Sequence, residues 1–310
     1  MPWDEHDRRK AAGEHNLGPP HRDLPPESLV EAPEDNRRIL STYPWVQHKL
    51  TTALLDEIER GGLDGIEIFC SGGHFDYRSL DVVRETADWF ADHKLKLHSL
   101  HGPTSRDFRP GREGGSPVSL SDTERIRRLD AVDEVKRAID VAETLPFEIM
   151  VLHVATVRDE ADRRRWDAAF TSFEHLVLFA KQRGVLLALE NTPGEMATPA
   201  NLRHFLADTH LPNLRLCFDS GHAHMEGGAL QALEAMHGLI ATTHLHDNRG
   251  EKDEHLLPFE GTIEWDKLMR AMPADMPFVI ELREQPGQPV PSFDAIRAAF
   301  DKLEAARGDS

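Results

Sequence analysis

Short apolar runs recur along the chain at near-regular spacing: 38–43 (RILSTY), 64–69 (DGIEIF), 95–100 (LKLHSL), 147–154 (FEIMVLHV), 185–190 (VLLALE), 214–219 (LRLCFD), 239–245 (LIATTHL) and 278–282 (FVIEL). Each is five to eight residues long, which is strand length. Between them lie segments whose apolar residues are spaced by three and four, among them 46–60, 121–143 and 166–183. That spacing predicts amphipathic helices packed by one face. Ser121 with Glu124 predicts a capping box for the second, and Gly184 stands where a C-cap glycine belongs, just before the fifth strand. Strands alternating with helices predict parallel pairing through right-handed crossovers, and eight such units close a barrel. No GxGxxG follows the first strand, which speaks against a doubly wound dinucleotide-binding sheet and a nucleotide cofactor. The predicted fold is a single-domain (β/α)8 TIM barrel over 37–310. Residues 1–36 are polar, proline-rich and without apolar period, predicting a poorly ordered arm that is flexible or wraps the barrel.

A chain of 310 residues is within the range of one barrel. Its net charge of −18 argues against a broad nucleic-acid-binding face, because phosphate binding draws on clustered Lys and Arg. The basic clusters Arg163–Arg165 and Arg125, Arg127, Arg128 are interleaved with acids and read as solvated helix faces. Cys70 and Cys217 lie within strand-like runs and read as buried free thiols; no CxxC pair offers a thiolate zinc site. No apolar run approaches the ~20 residues of a membrane helix. MPWDEHDRRK is not followed by the apolar stretch of a secretory signal, so a cytoplasmic location is expected.

Active sites of (β/α)8 barrels lie at the C-terminal ends of the strands. Strand three ends at His101, strand four carries His153, strand five ends at Glu190, and strand six ends at Asp219 with His222 one turn on. Strand seven carries His244 and His246 and leads into a loop with Asp253 and His255, and strand eight ends at Glu281. One such residue is ordinarily a satisfied polar group. Carboxylates converging from consecutive strands repel one another and carry a large desolvation cost, and a divalent cation removes both problems. Carboxylates with some imidazole suit Mn²⁺, Mg²⁺, Co²⁺, Fe²⁺ or Zn²⁺.

The series His101, His153, Glu190-Asn191-Thr192, Asp219-x-x-His222, His244-x-x-Asp247-Asn248, Asp253-x-His255 and Glu281, with ENTPG, DSGH and HDN…HLLPFEGTIEW, resembles the xylose isomerase-like barrel superfamily over about residues 38–305. That group includes sugar isomerases, epimerases and endonuclease IV. The resemblance implies that Glu190, Asp219, His244 and Glu281 hold one catalytic metal, as in ketose epimerases. Glu190 and Glu281 would then act as acid and base, moving a proton through an enediolate held by the metal. His222, His246 and Arg249 become candidates for substrate contact.

The same resemblance carries an alternative. In the endonuclease IV pattern His101, His153 and Glu190 hold a first zinc, Glu190, Asp219, His244 and Glu281 surround a second, and His222, Asp253 and His255 hold a third, for hydrolysis of abasic DNA. Against it, His101 is followed by Gly102-Pro103-Thr104, which offers no wedge for a DNA stack, and the chain is strongly acidic. A third reading, a sugar- or metal-binding barrel without turnover, predicts decay of a ligand set that is here complete. The expectation is a divalent-metal-dependent isomerase or epimerase with a small sugar-like substrate and no nucleic acid or membrane partner; a homo-oligomer is compatible with it.

The glycine-rich loop 102–120, with Arg106, Arg109 and Arg112, reads as a lid over substrate or a mobile connection. Trp45, Phe69 and Phe259 are candidates for an apolar wall beside a sugar ring or for ordinary packing. His74 and Tyr77 sit on a second rim loop.

Overall fold

Alternation of inward and outward side chains along eight short strands organises the chain, and the computed structural model describes residues 38–105, 116–284, 287 and 289–308. The strands are β1 (Arg38–Ser41), β2 (Gly65–Phe69), β3 (Lys96–His101), β4 (Ile149–Leu152), β5 (Leu186–Glu190), β6 (Leu214–Asp219), β7 (Ile240–His244) and β8 (Phe278–Ile280). They form a parallel sheet in the order β7-β6-β5-β4-β3-β2-β1-β8. The remaining seam is sealed just beyond β7: Leu245 bridges Ile280, its N–H donates to the Val279 carbonyl at 2.7 Å, and Glu281 N–H donates back to its carbonyl at 3.3 Å. The barrel read from the sequence is present. The helices are α1 (Thr52–Arg60), α2 (Leu80–Asp92), α3 (Arg125–Asp140), α4 (Arg163–Lys181), α5 (Pro199–Thr209), α6 (Ser220–Met225), α7 (Ala229–Met236), α8 (Trp265–Ala271) and α9 (Phe293–Arg307). No helix among the described residues is long and apolar enough to cross a membrane.

Period-two alternation divides the apolar residues into two separate clusters. The large one fills the space between strands and helices and holds Ile66, Ile68, Leu100, Leu187, Leu189, Leu216 and Phe218. The small one, Ile149, Val151, Ala188 and Cys217 with Leu186 against it, comes from the opposite faces of β4, β5 and β6. Two residues further along the same faces stand Glu190 and Asp219, directly beyond this apolar cluster. Cys70 and Cys217 are free and buried.

Several boundaries depart from the sequence reading. The segment 46–60 is helical only from Thr52, whose turn is capped by Thr51 Oγ1 accepting from Leu54 N–H at 3.3 Å. A short 3-10 turn over Tyr43–Trp45 occupies the preceding rim, and Val46 and Leu50 are buried without being helical. The Ser121–Glu124 capping box does not form. Glu124 is itself the N-cap residue of α3 and makes no capping bond, because its carboxylate is drawn to Arg127 and Ser121 Oγ is turned inward beside Ser119. The fourth helix begins at Arg163, ahead of the expected 166, because Asp162 accepts from Arg165 N–H at 2.9 Å. Gly184 takes φ +72° after α4, as its position demanded. The arm 1–36 and residues 106–115 of the 102–120 loop, with Arg106, Arg109 and Arg112, lie outside the described residues.

The most specific sequence motif has an architectural job. Asp247 is fully buried, and its carboxylate accepts from the backbone N–H groups of Asn248 (2.9 Å), Phe259 (3.1 Å) and Ile263 (3.1 Å) and from the Trp265 indole (2.7 Å). One side chain thereby fastens both ends of the loop that carries Asp253 and His255. A Cβ on Gly261 would lie 2.3 Å from Asp247 Oδ1, so only glycine fits beneath the clamp. Elsewhere on the rim, buried His74 contacts the His48 carbonyl through Nδ1 (2.6 Å) and Thr42 Oγ1 through Nε2 (2.9 Å). The carbonyl only accepts, so Nδ1 carries the proton and Nε2 accepts from the Thr42 hydroxyl, which itself accepts from Phe69 N–H at 3.0 Å.

Two predictions follow from these anchors. Asp247→Ala strands four donors and is expected to cost about 3 kcal/mol or more in urea unfolding, since each buried orphan costs about 1–3 kcal/mol; a loss under about 1 kcal/mol would contradict the clamp. Burial lowers the His74 imidazole from 6.5 to about 4, so the neutral ring favours the fold. Its contribution is complete above pH 6.5 and is lost as pH falls towards 4, by on the order of 3 kcal/mol. The wild-type urea midpoint should therefore drop more steeply across that window than that of His74→Gln.

Candidate metal centre

Every ligand candidate read from the sequence is described, and the fold draws them to one rim. His101, Glu190, Asp219 and His244 each end a strand, and Glu281 follows β8 by one residue. His153 follows β4, His222 lies on α6, and Asp253 and His255 lie on the loop fastened by Asp247. Potential ligand atoms fall within 4.8 Å of one another in four groups, three of which share members. These are Glu190–Asp219–His244–Glu281, His101–His153–Glu190, His101–His244–Glu281 and His222–His246–Asp253–His255. All are buried except His153 and Asp253, whose side chains keep 29% and 32% of their exposure and so mark the open side.

Glu190 is the hub. Its Oε2 lies 3.2 Å from His101 Nε2, 3.1 Å from His153 Nε2 and 3.5 Å from His244 Nδ1, and its Oε1 lies 3.1 Å from His222 Nδ1. Asp219 accepts from His222 N–H at 2.7 Å and contacts His246 Nε2 at 3.0 Å. The Glu281 carboxylate is less engaged, with His255 Nδ1 at 3.6 Å and His244 Nδ1 at 3.8 Å.

Electrostatics follow from this crowding. Burial pushes the Glu190 carboxyl up, but the charges of His244 and His153 and the bonds from His101 and His153 hold it well below the usual carboxylate range. Burial opposes charge on His244 too, yet Cys217, Glu281, Glu67 and Glu190 raise it well above the ordinary imidazole value. His222 is raised likewise, against its burial, by Asp219, Asp253 and Glu190. The acids thus demand positive charge, which protons or a cation can supply. One observation favours a cation. His244 Nδ1 is buried, makes no hydrogen bond, and stands within 3.9 Å of Glu190, Asp219 and Glu281, the surroundings of a metal-ligating nitrogen.

The fourth group is narrower than its composition implies. His246 and His255 stack with ring centroids 3.8 Å apart and planes 9° apart. Imidazole lone pairs lie in the ring plane, so two parallel rings at that separation cannot both direct nitrogens at one ion. His255, bonded to Asp253 at 3.1 Å, belongs with His222 and Asp253, and His246 belongs with Asp219. His246 is fully buried, and Gly221 leaves it room: a Cβ there would lie 2.0 Å from the ring. Arg249 stands apart, exposed and paired with Glu254.

The apolar candidates sort clearly. Phe69 stacks on His101 at 4.4 Å and forms part of the wall, whereas Trp45 packs on Phe293 and Phe259 on Trp265. Tyr77 is buried against Glu134, away from the centre. Sequence reasoning missed two residues. Tyr43 stacks on Phe69 (5.0 Å) and faces His255 (5.4 Å), and among the described residues its hydroxyl has no hydrogen-bond partner. Burial raises that hydroxyl to about 12, so it remains a neutral donor. Glu67 lies fully buried within β2 and contacts His244 Nε2 at 3.1 Å. Its signal was present in the sequence, a charge at the centre of an otherwise apolar strand (GIEIF).

Fold and site together define a (β/α)8 barrel with a buried carboxylate–imidazole centre at its C-terminal rim. The chain belongs to the xylose isomerase-like TIM barrel family, whose model matches residues 55–306. It is 30% identical over 207 residues to an uncharacterized protein of Sinorhizobium fredii, a match spanning 59% of this chain and 64% of that protein, just under two thirds of its length. Among solved structures it is similar to a D-tagatose 3-epimerase-like protein, with TM-score 0.72 and 21% identity over 88% of this chain and 98% of that one. It is also similar to the IolI protein with a bound zinc atom, with TM-score 0.71 and 17% identity over 88% of this chain and 98% of that one.

A centre of this kind makes thermal stability respond to cations. Adding Mn²⁺ or Zn²⁺ to chelator-treated protein is expected to raise Tm, because binding to the folded state alone stabilises it by mass action. Asp219→Asn should remove most of that rise. An equal rise in wild type and variant would place the ion elsewhere.

Proposed function

We propose that the chain is a divalent-metal-dependent isomerase or epimerase acting on a sugar or sugar derivative. The observation carrying this reading is the group Glu190–Asp219–His244–Glu281, with ligand atoms mutually within 4.8 Å and a buried, unbonded imidazole nitrogen among them. Three carboxylates and one imidazole suit Mn²⁺, Mg²⁺, Co²⁺, Fe²⁺ or Zn²⁺. When bound, the cation supplies positive charge to stabilise negative charge developing on a substrate oxygen. The residues divide the remaining work. Glu281 makes no side-chain hydrogen bond among the described residues, so its oxygens are available to take a proton from a carbon beside a carbonyl. Glu190, surrounded by His101, His153 and His222, has donors within 3.2 Å through which it can be reprotonated and return one. His222, beside Glu190, and Tyr43, whose ring faces His255, would orient hydroxyls of a small polar substrate. The epimerase-like barrel of similar fold supports the substrate class.

A second reading, a multinuclear phosphodiesterase acting on abasic DNA, is favoured by one observation: His101–His153–Glu190 and His222–Asp253–His255 flank the central group as two further ligand sets. The net charge of −18 weighs against a DNA partner.

Metal content separates the two, with about one ion per chain expected for the isomerase and two or three zinc or iron ions for the nuclease. Under the first reading Glu190→Gln and Glu281→Gln should each slow exchange of a substrate C–H with deuterated solvent by about 10²-fold or more while the variants still fold. Wild-type exchange in either variant ends the two-base mechanism. Cleavage of abasic DNA by the multiply loaded protein would establish the second reading instead.

A further inference from the structure

Among the buried carboxylates outside the four-ligand set, Glu67 is placed to act on its histidine. It sits in the middle of β2, fully buried, and reaches the interior face of the barrel below the rim. Its Oε1 and Oε2 lie 3.1 and 3.3 Å from His244 Nε2, and Oε2 also accepts from the Ser99 hydroxyl at 2.8 Å. The local backbone is built for this. The β2–β3 register slips between Ile66 and Glu67, so that Ser99 instead of His98 becomes the partner of Glu67. A bulge of this kind re-aims side chains, and here it brings the hydroxyl onto the carboxylate.

A carboxylate and an imidazole nitrogen at 3.1 Å require a proton between them, so Nε2 of His244 carries hydrogen and donates. In place of the proton that it holds in the charged ring, a cation would meet the other nitrogen, Nδ1. It points into the space bounded by Glu190, Asp219 and Glu281, where it has no hydrogen-bond partner. We propose that Glu67 is the positioning residue of the metal centre: through Nε2 it fixes the ring orientation and tautomer of His244 and makes Nδ1 a stronger donor to a divalent cation. Carboxylates behind metal-bound histidines act in this way, and their loss typically weakens metal binding about 10- to 100-fold. The inference rests on the reading that Glu190, Asp219, His244 and Glu281 hold the metal. A purely structural role makes a different prediction, since a buried ion pair kept for the fold matters to the metal-free protein and not to affinity.

Glu67→Gln tests it. The amide keeps the size and an acceptor oxygen but removes the charge. Dissociation constants for Zn²⁺ would be measured in wild type and variant by competition with a chromophoric chelator, alongside Tm of both metal-free proteins. The expected result is Zn²⁺ binding weakened about 10- to 100-fold with the metal-free Tm unchanged or higher. Affinity within about twofold of wild type overturns the positioning role while leaving the metal centre standing. Wild type that binds no Zn²⁺ at the site overturns both. Should Glu67→Gln fail to fold, ¹⁵N-histidine spectra of zinc-loaded wild type decide the question, with His244 assigned against His244→Asn. A protonated Nε2 and metal-bound Nδ1 support the proposal, and the reverse tautomer sinks it.

Discussion

Four carboxylates, Glu67, Glu190, Asp219 and Glu281, are buried at or just beneath one rim of the barrel, each at most 3% exposed. Negative charge so confined cannot persist without compensation, because burial removes the water that would otherwise screen it. The surroundings answer that demand. Histidines are interleaved with the acids, each of His101, His153, His222, His244 and His246 within about 3 Å of a carboxylate oxygen. His222 and His244 are held charged by the acids around them, so a cation entering between them would displace their protons, and its binding would be coupled to proton release. Strand order, bulges and loop clamps can be understood as the means of holding this charged assembly beyond an apolar cluster.

The barrel was legible because its signal is repetitive. Eight apolar runs at strand length, separated by helical spacing, leave little room for another topology, and each run is matched by a strand. The ligand positions were legible for a related reason. Once the strands are set, the residue ending each one is fixed by counting, and His101, Glu190, Asp219 and His244 all end strands. What failed was local. Val46 and Leu50 continue a helical spacing without being helical, since burial in a rim turn satisfies them equally well. Ser121 and Glu124 match a capping pattern, but Glu124 pairs with Arg127 in its own helix and Ser121 turns to Ser119 and Asp159.

Interactions across the barrel were the least readable. Nothing in the sequence links Glu67 to His244, 177 positions away, or places the His246 ring flat against His255. Residue type identifies a possible ligand, whereas ring orientation decides which ion it can serve. His246, a candidate for substrate contact by the resemblance, lies with its Nε2 against Asp219. Arg249, a candidate for substrate contact by the resemblance, is exposed and pairs with Glu254.

Asp247 alters what a shared motif means. The stretch from HDN to GTIEW is the most distinctive signature in the chain, yet its central carboxylate touches backbone amides and an indole, never the ligand cluster. Its glycine is demanded by the same carboxylate. A sequence recognised through these residues is recognised by its joinery. Two barrels can therefore agree throughout this stretch while performing different reactions, because the clamp holds the loop in place whatever lies opposite it. Reaction and substrate are written instead in the residues left free above the clamp, where the scaffold makes no demand.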